Sequence, residues 1–317
     1  MVVSFCFDKA FLNSQRVFQF EHDVEYTLAL HAAADRLNYT IAEHLKERTV
    51  EEAIGATFFS VMGGDGHIRM EGGLHELRVK NQDLHESVFS NFRDEYTYPE
   101  VAAVRKAIEQ IFVYESLDFS PYSKIRRPVV ASAASVLKED GSNLAQVLNT
   151  LKNNHRVSYQ KISSALQAIN PAFEEISFNL LGGNMELMLG EQGLYRAIHA
   201  RHISDGTLKF LCVLCLLHNP ALHHSVLAID ELENALHPDM QHYLMAELTQ
   251  QKHTQFIVAT HSPLLVDGAQ PQQLRIVEKD EQNASVIKIP GPSTEEWLET
   301  YTTGRLWLEG HLGGTRY

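Results

Sequence analysis

The chain has 317 residues, 44% hydrophobic, 21% charged and 9% aromatic, the make-up of a folded globular protein with one large core or two lobes. No stretch approaches the roughly eighteen apolar residues of a membrane span, and the opening MVVSFCFDKAFLNSQR lacks the basic-then-apolar order of a secretory signal. A formal charge of −13 argues against a broad grip on nucleic acid, and three cysteines are too few for a disulfide framework. A cytoplasmic, reducing compartment is expected.

The first hundred residues alternate apolar and polar in short pieces. Val24–Leu30, Thr57–Met62, His67–Glu71 and Leu77–Val79 carry the two-residue period of strands. Gly63-Gly64-Asp65-Gly66 and Gly72-Gly73 mark turns between them. No lysine follows the first cluster and no buried strand-to-helix transition surrounds it, so it reads as a turn rather than a phosphate loop. Residues 1–97 are therefore expected to form an antiparallel β lobe. From 98 to 172 a helical subdomain is expected, with amphipathic periods over Val101–Val113, Asn143–Asn153 and Val157–Ile169.

Residues 173–317 read as an α/β core lobe. Ile176–Leu180 and Met185–Leu189 form a hairpin across Gly182-Gly183. Helix 206–218, strand 226–230, helix 239–251, strand 255–260 and strand 274–278 then follow in an alternation that predicts a mainly parallel sheet. Val226-Leu227-Ala228-Ile229 has no polar interruption, as expected of a strand buried on both faces, and it ends in Asp230-Glu231. Two acids at that end stand where open α/β sheets bind ligands.

Gln255–Thr260 reads as a second buried strand, and His261-Ser262-Pro263 follows it with a side chain suited to proton work near neutral pH. Upstream, Ser204 or Asp205 caps the apolar helix Leu208–Leu217, leaving backbone N–H groups free for an anion. Cys212 and Cys215 lie inside that helix with no second pair, which favours core packing over metal or redox chemistry. The 17 histidines, His199/His202, His223/His224 and His237/His242 among them, lie in separate segments without zinc-site spacing.

Three stretches together, SDGTLKFL at Ser204–Leu211, LAIDELENALHP at Leu227–Pro238 and VATHSPLL at Val258–Leu265, resemble the second half of an ABC-type ATPase head. The resemblance is to the RecF-like and SMC-like group, including the single-chain "AAA family ATPases" of bacteria. EDGSNLAQVL at Glu139–Leu148 and LWLEGHLGG at Leu306–Gly314 extend it, so that it covers most of the chain from about Arg126 onward. It implies a P-loop NTPase fold in which two heads face each other and sandwich ATP and Mg²⁺.

By that resemblance Asp230 matches the Walker B acid that holds Mg²⁺, and Glu231 the general base for the attacking water. His261 matches the switch histidine that contacts the γ-phosphate. Ser204, Asp205 and Gly206 match the signature turn that reaches the partner head's nucleotide. Asn234 through His237 and Pro238 match the loop along the dimer interface. Leu232 replaces a proline common in the family, which bears on loop stiffness rather than chemistry.

A second departure concerns the chemistry itself. The 317 residues contain no G-x-x-x-x-G-K-[ST] loop and no Gly-Lys dipeptide, although that loop cradles the phosphates. A truncated gene, a head completed by another polypeptide, or a degenerate head would each account for this. The expected function is an ATP-hydrolysing head working as a homodimer or paired head in a DNA-repair or phage-defence-like system, incomplete without a Walker A. An effector such as a nuclease is the expected kind of partner; nucleic acid is not indicated by charge, and no membrane is expected. The alternative is a catalytically silent head-fold module that dimerises or binds an effector.

Overall fold

The computed structural model describes residues 2–14, 18–32, 39–48, 56–62, 65–70, 73–78, 87–115, 117–291 and 301–313. The chain divides into two compact units, Met1–Ile111 and Phe112–Tyr317.

The first unit is built on a six-stranded antiparallel sheet whose strands stand in chain order: β1 (Val2–Phe7), β2 (Val24–Ala32), β3 (Tyr39–Glu47), β4 (Thr57–Met62), β5 (Asp65–Met70) and β6 (Gly73–Arg78). Each strand pairs antiparallel with the next in the chain, which makes a meander. The expected turn residues Gly63, Gly64 and Gly72, with Glu71 and Val79, lie outside the described residues; Asp65 and Gly66 open β5 and Gly73 opens β6. Tyr26, Leu45, Phe59, Val61 and Ile68 share a core with Leu12 of α1 (Lys9–Ser14) and with Val101, Ala103 and Val104 of α2 (Pro99–Ile108). Glu43 is fully buried there. Its carboxylate accepts the Tyr26 hydroxyl at 2.5 Å, the Ser87 hydroxyl at 2.6 Å and the Val88 amide at 2.7 Å, so the buried charge is satisfied.

The helix predicted over Val101–Val113 stops at Ile108, and Ile111–Tyr114 forms strand β7. Those β-branched and aromatic residues find a strand neighbour, and that pairing overrides the helical period. In the second unit β7 neighbours β12 (Val226–Ile229), which neighbours β13 (Gln255–Val258). Strands β12 and β13 run parallel, Leu227 opposite Phe256 and Ile229 opposite Val258.

Among the described residues the helices of this unit are α3 (Leu144–Asn154), α4 (Arg156–Ile169), α5 (Asp205–His218), α6 (Pro238–Thr249), α7 (Pro263–Gly268) and α8 (Thr303–Leu308), α5 packing against α4 and α6. A second sheet centres on the hairpin of β9 (Phe173–Leu181) and β10 (Asn184–Glu191), flanked by β8 (Val129–Val130) and β11 (Ile198–His199). Its two-residue turn places Gly182 at φ 58° and Gly183 at φ 77°, the left-handed pair of a type I′ hairpin turn.

Every residue of α5 from Leu208 to His218 is buried. A helix buried all round belongs at the centre of a core, and each large apolar side chain there contributes about 1.5–3 kcal/mol. Cys212 and Cys215 are part of it, and burial pushes both thiols well above their usual range.

Two expectations about strands change. The strand expected at 274–278 is β14 (Ile276–Lys279), paired antiparallel with β15 (Ser285–Lys288) in a separate hairpin. The strands at 226–230 and 255–260 are not buried on both faces: Leu227 and Ile229 are covered, but Ile257 is 54% exposed. Among the described residues β13 is an edge strand, so its outward side chains meet solvent. No helix among the described residues is long and apolar enough to cross a membrane.

Candidate functional site

Parallel pairing brings the carboxyl ends of β12 and β13 out side by side. Asp230 and Glu231 leave one strand, and Thr260 and His261 follow the other; Ala259 N–H still donates to Ile229 O at 2.9 Å. Asp230, Glu231 and His261 are exposed. Glu231 sits at φ 46°, a left-handed conformation that costs a residue with a Cβ about 1–2 kcal/mol. Such strain persists only where neighbours over-determine it, and here several do. Glu231 N–H donates to Asp230 Oδ1 at 3.1 Å, and Glu231 O accepts from Asn234 N–H at 3.0 Å. The Asn234 side-chain amide donates to Glu231 Oε2, holding the candidate base in place.

A further brace comes from α5. Lys209 is buried, and its Nζ donates to Glu231 O at 2.6 Å. Burial pushes the pKa of this ammonium down, while the carboxylates of Glu233, Glu231 and Asp230 oppose that shift. Leu232, in the position where a proline was expected, is fully buried and anchors the turn from beneath.

The signature-like turn is built on the start of α5. Ser204 is the N-cap: its Oγ accepts from Thr207 N–H at 3.1 Å and shares a hydrogen bond with the Thr207 hydroxyl at 2.7 Å. Arg126 fixes the turn from outside. Buried, it donates through Nε to Phe119 O at 2.9 Å and through one terminal nitrogen to Ala200 O at 3.0 Å and Ile203 O at 2.6 Å. Its other nitrogen bonds the exposed Asp205 carboxylate. A Cβ on Gly206 would lie 2.5 Å from Ala235 O, so only glycine lets this turn meet the loop that carries Asn234. Ala235 itself is at φ 64°. His237 caps α6, its Nδ1 accepting from Asp239 N–H at 3.3 Å.

Glu233 joins the two strand ends. Its Oε2 accepts the Thr260 hydroxyl at 2.7 Å and its Oε1 the His261 N–H at 2.6 Å. Thr260 Oγ1 in turn accepts from Ser262 N–H at 2.9 Å, and the Ser262 hydroxyl donates to buried Gln241 at 2.7 Å. The structure thus gathers Glu231, Asn234 and, through Ala235, Gly206 on one loop, with His261 tied to it by Glu233. Lys209, Arg126, Glu233 and Gln241 were not singled out from sequence. Glu233 alone carried a signal, as the third acid of LAIDELENALHP with no role attached.

The donor set suits a hard cation at one point. Asp230 offers carboxylate oxygen at the strand end, and among the described residues no group of three or more His, Cys, Asp and Glu could hold a metal. A Mg²⁺ here would be held by this carboxylate, water and substrate oxygens rather than by a protein cage, which is its usual manner.

An α/β unit with paired acids at one strand end, a histidine at the end of its parallel neighbour and a capped helix N-terminus against the same loop has the parts of a P-loop-type ATPase head. The model of the family described as "AAA domain, putative AbiEii toxin, Type IV TA system" matches residues 66–267, well over half of the chain, and the chain belongs to that family. Among solved structures the chain is similar to an Smc head bound to the C-winged helix domain of ScpA, at 10% identity and TM-score 0.44, covering 86% of this chain and 76% of that one. It is also similar to the SMC head domain from Thermotoga maritima, at 12% identity and TM-score 0.34, covering 84% and 74%. An Smc head from Pyrococcus furiosus bound to the C-terminal domain of ScpA matches at 9% identity and TM-score 0.38, covering 87% and 78%. The family assignment rests on the sequence match, and the site on its own geometry.

Proposed function

We propose that the chain carries the Walker B, signature and switch-histidine parts of an ABC-type ATPase head that binds ATP with Mg²⁺ and hydrolyses it as a homodimer or paired head. The observation that carries this is the shared exit of β12 and β13, with Glu231 held at φ 46° between Asp230, Asn234 and Lys209.

In this reading Asp230 would hold Mg²⁺, which when bound would offset charge on the phosphates. Glu231 takes a proton from the attacking water, and Asn234 keeps its carboxylate turned toward that water. His261 contacts the γ-phosphate from the neighbouring strand end. Ser204, Asp205 and Gly206 present a hydroxyl and helix N–H groups to the nucleotide of the opposing head, and the loop from Asn234 to His237 runs along the interface between heads. No G-x-x-x-x-G-K-[ST] loop occurs in these 317 residues, so hydrolysis in this reading requires a phosphate cradle of another kind or from another segment or polypeptide. The output is work on a protein partner, an effector of nuclease or toxin type in a repair or defence system, in the cytoplasm.

The lack of any Gly-Lys dipeptide favours a second reading, a silent head-fold module that dimerises or holds an effector. Sedimentation with ATP separates the two. A head supplied with its phosphate loop and carrying Glu231→Gln is expected to lose turnover and to accumulate as an ATP-bound dimer. Turnover unchanged by Glu231→Gln would remove that residue from its role, and no ATP response in the complete protein would favour the silent module.

A further inference from the structure

We propose that Glu233 is a positioning residue for His261, with Gln241 as a second anchor. This rests on the reading of His261 as the group that meets the γ-phosphate. The imidazole is exposed, so few packing contacts fix it, and its direction follows the backbone at 260–262. That backbone is bound on both sides of His261 to the segment after the acidic pair.

On the near side, one carboxylate takes hydrogen bonds from consecutive residues: the Thr260 hydroxyl at 2.7 Å and the His261 N–H at 2.6 Å. Two acceptors of one rigid group fix both the place and the tilt of the peptide leading into His261. Bonds to an ionised acceptor are also shorter and about twice as strong as neutral ones. On the far side, the Ser262 hydroxyl donates to Gln241 Oε1 at 2.7 Å, and Gln241 Nε2 donates to Leu236 O at 3.1 Å. Ser262 and Gln241 are both buried, which raises the cost of breaking that link.

Glu233 and Leu236 belong to the loop assigned above to the interface between heads. A displacement of this loop by an opposing head therefore moves the main chain at His261, and the histidine is aimed only when the loop is seated. Neither Glu233 nor Gln241 touches the reacting atoms, and each acts through the backbone.

The test uses Glu233→Ala, Thr260→Val and Thr260→Ser in the full chain with ¹³C,¹⁵N-labelled histidine, the His261 ring signal being assigned by its loss in His261→Gln. Glu233→Ala and Thr260→Val are each expected to shift the His261 signal while the remaining histidines keep theirs, and Thr260→Ser, which keeps the hydroxyl, is expected to restore it. In a head supplied with its phosphate loop, kcat is expected to fall on the order of 100-fold, the cost of a misplacement of about 1 Å, with KM for ATP unchanged. Glu233→Ala should cost more than Thr260→Val, which leaves the His261 N–H bond to Glu233 in place, and the double variant should lose less than the sum of the two because they share the Thr260–Glu233 bond. A folded Glu233→Ala protein whose His261 signal stays in place overturns the proposal, as does an equal loss in kcat from Thr260→Ser. If His261 moves but His261→Gln leaves turnover intact, the positioning stands and the γ-phosphate reading falls.

Discussion

Arg126→Met removes the buried guanidinium that holds the signature turn while keeping most of the apolar stem. In the native structure Arg126 donates to the carbonyls of Phe119, Ala200 and Ile203 and to the Asp205 carboxylate. A hydrogen bond to a charged group contributes about 1.5–3 kcal/mol, so three backbone bonds alone exceed 4 kcal/mol gross on that scale. The Asp205 side chain is 57% exposed, and its share is screened and small. The variant carries no guanidinium and so no desolvation cost for one, which offsets part of that loss; the carbonyls of Phe119, Ala200 and Ile203, left unpaired at about 1–3 kcal/mol each, keep the net loss at about 3–5 kcal/mol. Trp307 lies on α8 within Phe112–Tyr317, so its fluorescence in urea follows that unit. With slopes of about 1–3 kcal/mol per molar urea, the midpoint should drop on the order of 1–5 M. Arg126→Lys should fall between, since an ammonium cannot reach the same fork of acceptors. A loss below about 1 kcal/mol for Arg126→Met would refute the assignment of this residue as the clamp of the turn.

Gly206→Ala should also destabilise the second unit, by about 1–3 kcal/mol, because its Cβ would meet the Ala235 carbonyl at 2.5 Å and backbone must yield. Helix propensity alone predicts the opposite sign, so urea titration decides between them, and a variant as stable as the parent excludes the close approach. For Lys209→Met the signature is in pH. Burial lowers the pKa of Lys209 from its usual 10.5; below the folded value the ammonium is charged in both states and the full burial penalty applies. Between the folded value and 10.5 the unfolded chain binds more protons, and stability rises with pH. Lys209→Met removes that rise, so the difference between variant and parent should grow less favourable to the variant as pH climbs toward 10.5; parallel curves would contradict it.

What the sequence made legible follows from range. The helices at Leu144–Asn154, Arg156–Ile169 and Asp205–His218 carry their own periodicity and stops, and Gly182-Gly183 states its turn in two residues. The acids and the histidine were readable because they follow apolar strands in a fixed order. Strand β7 was not, because its four residues take their identity from a neighbour more than a hundred positions away. The same holds for the clamps. Arg126 meets Ile203, Glu233 meets Thr260 and Lys209 meets Glu231 only after folding; in sequence Arg126 and Lys209 are each one more charge with no period to mark it, and Glu233 is a third acid with no role attached. Ile257 reads as core in any apolar run, and only the position of β13 at a sheet edge places it in solvent.

The central claim is tested most directly by ATP turnover, measured on the 317-residue chain alone and on the same chain supplied with a loop-bearing segment, each beside its Glu231→Gln variant. The predicted result is no turnover by the chain alone, and turnover in the completed head that disappears with Glu231→Gln. Turnover by the chain alone that depends on Glu231 would show that these residues cradle the phosphates themselves. Turnover in the completed head that survives Glu231→Gln would contradict the assignment of the site.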